Sequence, residues 1–110
     1  MRLLRDESVP SRLRRALSTH EVRIVLEMGW SGVKNGELLA LAASDFDAFI
    51  TVDKNLPYQQ NLIALPISVV VLDAVSSELP ALLPLVPNLE RELAVLKPRT
   101  YVRVKAGARG

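Results

Sequence analysis

The chain has 110 residues, a net charge of +2, no cysteine and one histidine. That length fits one domain, and a chain of this size buries roughly two thirds of the surface its unfolded form exposes. Disulfides, thiolate zinc sites, cysteine nucleophiles and clustered-histidine metal sites are excluded, so a bound metal would take oxygen ligands, which favours magnesium or manganese. Apolar residues are 49% of the chain and aromatic ones only 5%, so the core must be aliphatic. No secretory signal and no apolar run of membrane-spanning length is visible, which makes a cytoplasmic location the expectation.

Residues 2–5 read as a first strand, interrupted by Asp6, Glu7 and Ser8. Pro10 suits the first turn of a helix, with Val9, Leu13, Ala16 and Leu17 on one face. His20, in the turn that follows, reads as a surface residue. Residues 22–26 are β-branched and predict a second strand. A glycine-punctuated loop around Trp30 leads to Asn35, a suitable cap for a helix carrying Leu38, Leu39, Ala42 and Ala43. In a core so poor in aromatics, Trp30 reads as a packing anchor between that loop and the second helix.

Residues 48–52 predict a third strand, ended by Asp53-Lys54-Asn55, and 56–63 a short helix with Pro57 in its first turn. The apolar run 67–72 suits a central strand covered on both faces. Leucine-rich helices follow over 76–86 and 88–96, separated by Pro87. Their leucines are numerous enough to suggest a homodimer. Tyr101 to Val104 alternate as an exposed edge strand, on which Arg103 opposes open sheet addition. Residues 1–105 read as one domain and 106–110 as a flexible basic tail.

Strands alternating with helices predict a three-layer α/β/α fold around a mostly parallel five-stranded sheet with right-handed crossovers. In a strand order 2-1-3-4-5 the order reverses between strands one and three. Ligands of such sheets bind beyond the carboxyl ends of the strands at that point. Asp6, with Glu7, and Asp53 would then stand side by side, Glu37 could lean in from the first turn of the second helix, and Asp73 would lie one strand further away. Like charges raise one another's pKa, so clustered carboxylates call for a cation. The same residues also suit plain turn and cap positions.

Three stretches add to this reading: Leu3-Leu4-Arg5-Asp6-Glu7-Ser8-Val9-Pro10, Gly29 through Leu39, and Phe49-Ile50-Thr51-Val52-Asp53-Lys54-Asn55-Leu56. In order and spacing the chain resembles the minimal PIN-like family, the DUF5615 group of predicted nucleases. The resemblance is good over about residues 1–75 and holds only in outline beyond. Its most specific marks are a strand ending in Asp-Glu and a strand ending in Thr-x-Asp. It implies a PIN-like fold and a Mg²⁺- or Mn²⁺-dependent ribonuclease, often the toxin partnered by a small DNA-binding antitoxin.

Asp6 matches the first acidic position of that family and Asp53 the acid of Thr-x-Asp. Glu7 and Glu37 are the acids able to compensate where Asn35 and Asn55 replace acids usual in the family. Lys54 is placed to contact a phosphate, and Gln59 belongs to an amide-rich run suited to hydrogen bonding substrate. The expected roles are therefore Asp6, Asp53 and Glu37 in catalysis, Asp6, Asp53 and Glu7 on the metal, and Asn35, Asn55, Lys54 and Gln59 in support. The alternative is a catalytically weakened module that binds RNA or protein. A phosphoacceptor receiver domain has a similar acid layout, but it needs Ser or Thr after strand four, where this chain has Asp73-Ala74.

Overall fold

A computed structural model describes residues 1–56 and 60–106. Five parallel strands form one sheet in the order β2-β1-β3-β4-β5. They are β1 (Arg2–Arg5), β2 (Glu21–Ile24), β3 (Ala48–Thr51), β4 (Ser68–Asp73) and β5 (Tyr101–Lys105). The helices are α1 (Leu13–Ala16), α2 (Asn35–Ala42), α3 (Leu79–Leu82) and α4 (Val86–Ala94), with a 3₁₀ turn, Leu83–Leu85, between the last two. No described helix is long and apolar enough to cross a membrane.

Alternation along the strands divides the core into two layers. Leu3, Ala48, Ile50, Val70, Leu72 and Val104 face Leu13 and Leu17 of the first helical turn together with Leu82, Leu85, Leu89 and Leu93. Leu4, Phe49, Val69 and Val71 face the other way, onto Leu38, Leu39 and Ala42 of α2. The structure is thus a three-layer α/β/α fold. β3 is buried along its whole length because it is covered on both faces.

The connections do not all share one hand. β1 to β2 steps one way along the sheet, and the other three connections step the opposite way. α1 lies on the first face, while α2 and the apolar residues of the β3–β4 link, Leu56 and Leu65, lie on the second. Those three connections therefore have the same hand. The β4–β5 connection steps as β2–β3 does but carries α3 and α4 over the first face, so its hand is opposite. The expectation of one hand throughout fails there, because the stripe Leu82, Leu85, Leu89 and Leu93 packs beside α1 in the same apolar layer.

Other boundaries also depart from expectation. β2 ends at Ile24, where the Glu27 carboxylate accepts the Ile24 N–H at 2.9 Å and starts a turn; Leu26 is 64% exposed. Residues 76–78 form a turn, with the Ser76 hydroxyl accepting the Glu78 N–H. Pro87 does not separate two helices but sits in the first turn of α4, where a missing N–H costs nothing. Lys34 is the cap residue of α2, and Asn35 is its first helical residue, with no capping bond from a side chain. Of the helix expected over 56–63, residues 57–59 lie outside the described residues, and Leu62 and Ile63 form a turn. The tail expected from 106 lies outside them beyond Ala106.

His20 is not a surface residue. Its side chain is 13% exposed and its Nε2 lies 2.6 Å from Glu90 of α4. It fastens the turn before β2 to the last helix. Trp30 is half-buried against the second layer, edge-on to Phe46 with ring centroids 6.3 Å apart, as a packing anchor should be. Gly29 and Gly32 on either side of it have φ of 75° and 85°, a region that favours glycine.

Phe49 is fully buried in the middle of the sheet. Phe49→Ala is expected to cost about 3–5 kcal/mol, a large part of a small domain's stability. Urea denaturation followed by circular dichroism measures it.

Candidate active site at the carboxyl ends of β1 and β3

β1 and β3 are neighbours, with Arg5 beside Ile50. The strand order reverses here, and the chain leaves both strands through turns that carry acids. The Asp6 N–H donates to the Ile50 carbonyl at 3.2 Å, so the first acid is still fixed to the end of β3.

The side chain of Thr51 joins the two turns. It is fully buried at the last position of β3. Its hydroxyl donates to Oδ2 of Asp6, and the same oxygen accepts the Asp53 N–H at 3.0 Å. A hydroxyl has one proton and two lone pairs, so one side chain serves both contacts. Asp6 receives more on its other oxygen, where Oδ1 accepts the Ser8 hydroxyl and, at 3.0 Å, the Ser8 N–H. Asp53 closes its own turn, its Oδ1 accepting the Asn55 N–H at 2.9 Å. These are neutral donors, so they orient the two carboxylates without cancelling their charge.

Arg5 supports the first turn from below. It is 4% exposed, and its Nη1 donates to the Val9 carbonyl at 2.7 Å, across the turn that bears Asp6. Burial lowers its pKa, and nearby Arg14 adds to that; Glu27 and Asp6 oppose it. An arginine remains charged through such a shift.

Beside the turn lies a groove of about 260 Å³. Asp6, Glu7 and Ser8 form one wall, with Trp30, Asn35 and Leu38 among the residues opposite. Asn35, not used as a cap, therefore faces the groove that holds Asp6. Glu7 is exposed and accepts the Ser31 hydroxyl at 3.0 Å. Glu37 is exposed in the first turn of α2 and is not part of the groove lining. Asn55 contributes its backbone N–H to Asp53. Gln59 lies outside the described residues.

Lys54 is not directed at Asp53. Its Nζ lies 2.9 Å from Oδ1 of Asp73 and donates to the Ala74 carbonyl. The other oxygen of Asp73 meets Arg103 at 2.9 Å. The hydrogen bond from Lys54 pulls the pKa of Asp73 down, outweighing the upward push of burial, and Arg103 adds to the pull. Strand four thus ends in a carboxylate pinned between two cations rather than in a hydroxyl.

The residues present suit a hard divalent cation. Their donors are oxygens, and both carboxylates are held by hydrogen bonds of the kind that orient metal ligands. No group of three acids or histidines able to hold a metal assembles among the described residues. Asp6 and Asp53 are the acids at the reversal of strand order, and Mg²⁺ commonly takes only one or two carboxylates from a protein.

Comparison with protein-family models, with curated proteins and with solved structures finds no match to this chain.

Thr51 and Ser8 are the members of the site that sequence reasoning did not rank. The signal for both was spacing: a side-chain oxygen accepting the N–H two residues on is a turn pattern of Asp, Ser and Thr, present at Asp6–Ser8 and Thr51–Asp53.

Thr51→Val keeps the shape and removes the shared hydroxyl, and should cost about 1–3 kcal/mol by leaving Oδ2 of Asp6 and the Asp53 N–H unpaired. Urea denaturation of the variant measures it. For Asp73 the folded pKa lies below the unfolded one, so its contribution is present above the ordinary carboxylate range and is lost as pH falls through the folded value. The stability gap between the wild type and Asp73→Asn should be full above about pH 5 and shrink below about pH 4. A gap that stays constant down to acid pH would show that the two cations do not stabilise Asp73.

Proposed function

We propose that the chain is a metal-dependent ribonuclease of PIN-like type, with Asp6 and Asp53 holding Mg²⁺ or Mn²⁺. One observation carries the reading: a single buried hydroxyl, that of Thr51, ties the two acid-bearing turns together at the reversal of strand order. Two acids at adjacent strand ends repel each other, and a bound cation would relieve that repulsion. A bound ion of this type lowers the pKa of an attacking water and offsets charge developing on a phosphodiester.

The chain's own groups have separable tasks. Thr51 and Ser8 fix Asp6, and the Asn55 N–H fixes Asp53. Arg5 braces the turn between Asp6 and Val9. Asn35 offers an amide to substrate in the groove beside Asp6, and Glu7 lies at the edge of the same groove. Glu37 can assist only from the helix start outside it. On this reading the chain is also a candidate toxin whose partner is a small DNA-binding protein.

A second reading has its own support. Asn35 and Asn55 replace acids usual in the family that the chain resembles, and no group of three acids or histidines assembles among the described residues. This favours a module that binds RNA without cutting it.

A labelled single-stranded RNA incubated with the protein in excess Mn²⁺ decides between them. The ribonuclease reading expects wild type to cut it and the Asp6→Ala, Asp53→Ala double variant to fall to background. Equal cutting by the double variant ends that reading. Binding by wild type without cutting selects the second.

A further inference from the structure

The opposite hand of the β4–β5 connection has a consequence at the edge of the sheet. A crossover of the same hand as the others would lay α3 and α4 over the α2 face of β5. Instead they lie over the α1 face, and no described helix covers β5 on its other side. Arg103 is in register with Val71 and Lys105 with Asp73. Register partners share a face, and Val71 belongs to the α2-side layer. Arg103 and Lys105 therefore project from the face that no described helix covers, in one row with Tyr101, which packs at the margin of that layer.

The carboxyl end of this face is cationic. Lys54 reaches it from the residue after Asp53 and joins Arg103 on the carboxylate of Asp73. The side chain of Asp73 is only 16% exposed, whereas those of Lys54 and Arg103 are 44% and 38% exposed. The anchor is thus largely buried and the two cations remain accessible. Lys105 is exposed beside them, and its carbonyl accepts the Asn88 side-chain amide at 2.8 Å, which fixes the end of the strand. Three cations face one acid, and that acid holds two of them in place.

From this geometry we infer that the α2-side face of β5, with Lys54, Arg103 and Lys105, is a phosphate-binding track for single-stranded RNA that leads to Asp6 and Asp53. The inference deepens the proposed function and rests on its RNA-binding part. Two carboxylates repel a polyanion, so an RNA backbone needs positive charge on at least one flank of the site. The track supplies it on the β4–β5 side, through backbone contacts that read no sequence. Asp73 is a positioning residue here, keeping Lys54 and Arg103 a fixed distance apart.

The test is binding of a short fluorescein-labelled oligouridylate in EDTA, followed by anisotropy from about 50 to 200 mM salt. Lys105→Ala and Arg103→Ala should each weaken binding and reduce the slope of log affinity against log salt by about 0.7, the loss of one phosphate contact on a single strand. Arg103→Lys should keep the slope. Arg12→Ala, an exposed cation at the start of α1, should leave it unchanged. Lys105→Ala leaves the Asp73 ion pairs intact, so it decides the matter even if Arg103→Ala fails to fold.

Unchanged slopes in both alanine variants overturn the track, as does an equal loss in Arg12→Ala. Tighter binding of phosphatidylserine vesicles than of RNA, lost in the same variants, overturns RNA as the occupant. Cutting that needs Asp6 and Asp53 but is accompanied by unchanged slopes defeats the track alone. The expected slopes without any cutting in Mn²⁺ defeat the nuclease reading alone.

Discussion

The buried hydroxyl of Thr51 is the contact on which the candidate site depends. A side chain pointing into either apolar layer from the end of β3 would leave the two acid turns independent. With a hydroxyl there, the proton goes to Asp6 and a lone pair takes the Asp53 N–H. The contact exists only because β1 and β3 are neighbours, and they are neighbours because the chain returns across β1 after β2. Leu4 and Phe49 on one face, and Leu3 and Ile50 on the other, give that pairing its two apolar layers. The fold therefore places the two acid-bearing turns at adjacent strand ends, and Thr51, with Ser8 and the Asn55 N–H, holds them there.

Charge is distributed along the carboxyl edge of the sheet in a way that follows from the connections. Acids occupy the turns after β1 and β3, where the strand order reverses. Cations gather after β3 and along β5, around the single carboxylate of Asp73. The last crossover determines how open that second region is, since α3 and α4 have gone to the other face. Had they followed the hand of the earlier connections, Arg103 and Lys105 would lie beneath a helix. Both side chains would then be desolvated. A departure from the usual handedness thus has a direct consequence for which charges meet solvent.

Much of this was legible in the sequence because it depends on periodicity. Alternating and continuous apolar runs marked the five strands, and the acids after strands one and three followed from strand order. What was not legible depends on partners far apart in the chain. Lys54 has no visible partner in the sequence until β4 brings Asp73 within 2.9 Å of it. His20 looks like a turn residue until Glu90, seventy positions later, closes on it. Pro87 looks like a break, although proline fits equally well in a first turn. Asn35 looks like a cap but comes one residue too late, since Lys34 takes that position in extended geometry. The hand of the last crossover follows from which face the stripe Leu82–Leu85–Leu89–Leu93 selects, and each face offers an apolar layer.

The proposed cation site joins Asp6 and Asp53 through the Thr51 hydroxyl. Paramagnetic broadening of backbone amide signals by substoichiometric Mn²⁺ would locate the ion. The amides of Asp6, Ser8 and Asp53 should broaden first and together, and Asp6→Asn or Asp53→Asn should each remove the broadening from both turns. Broadening centred elsewhere, such as on Glu37 or Glu90, or persisting at one turn when the other's acid is removed, would contradict the claim.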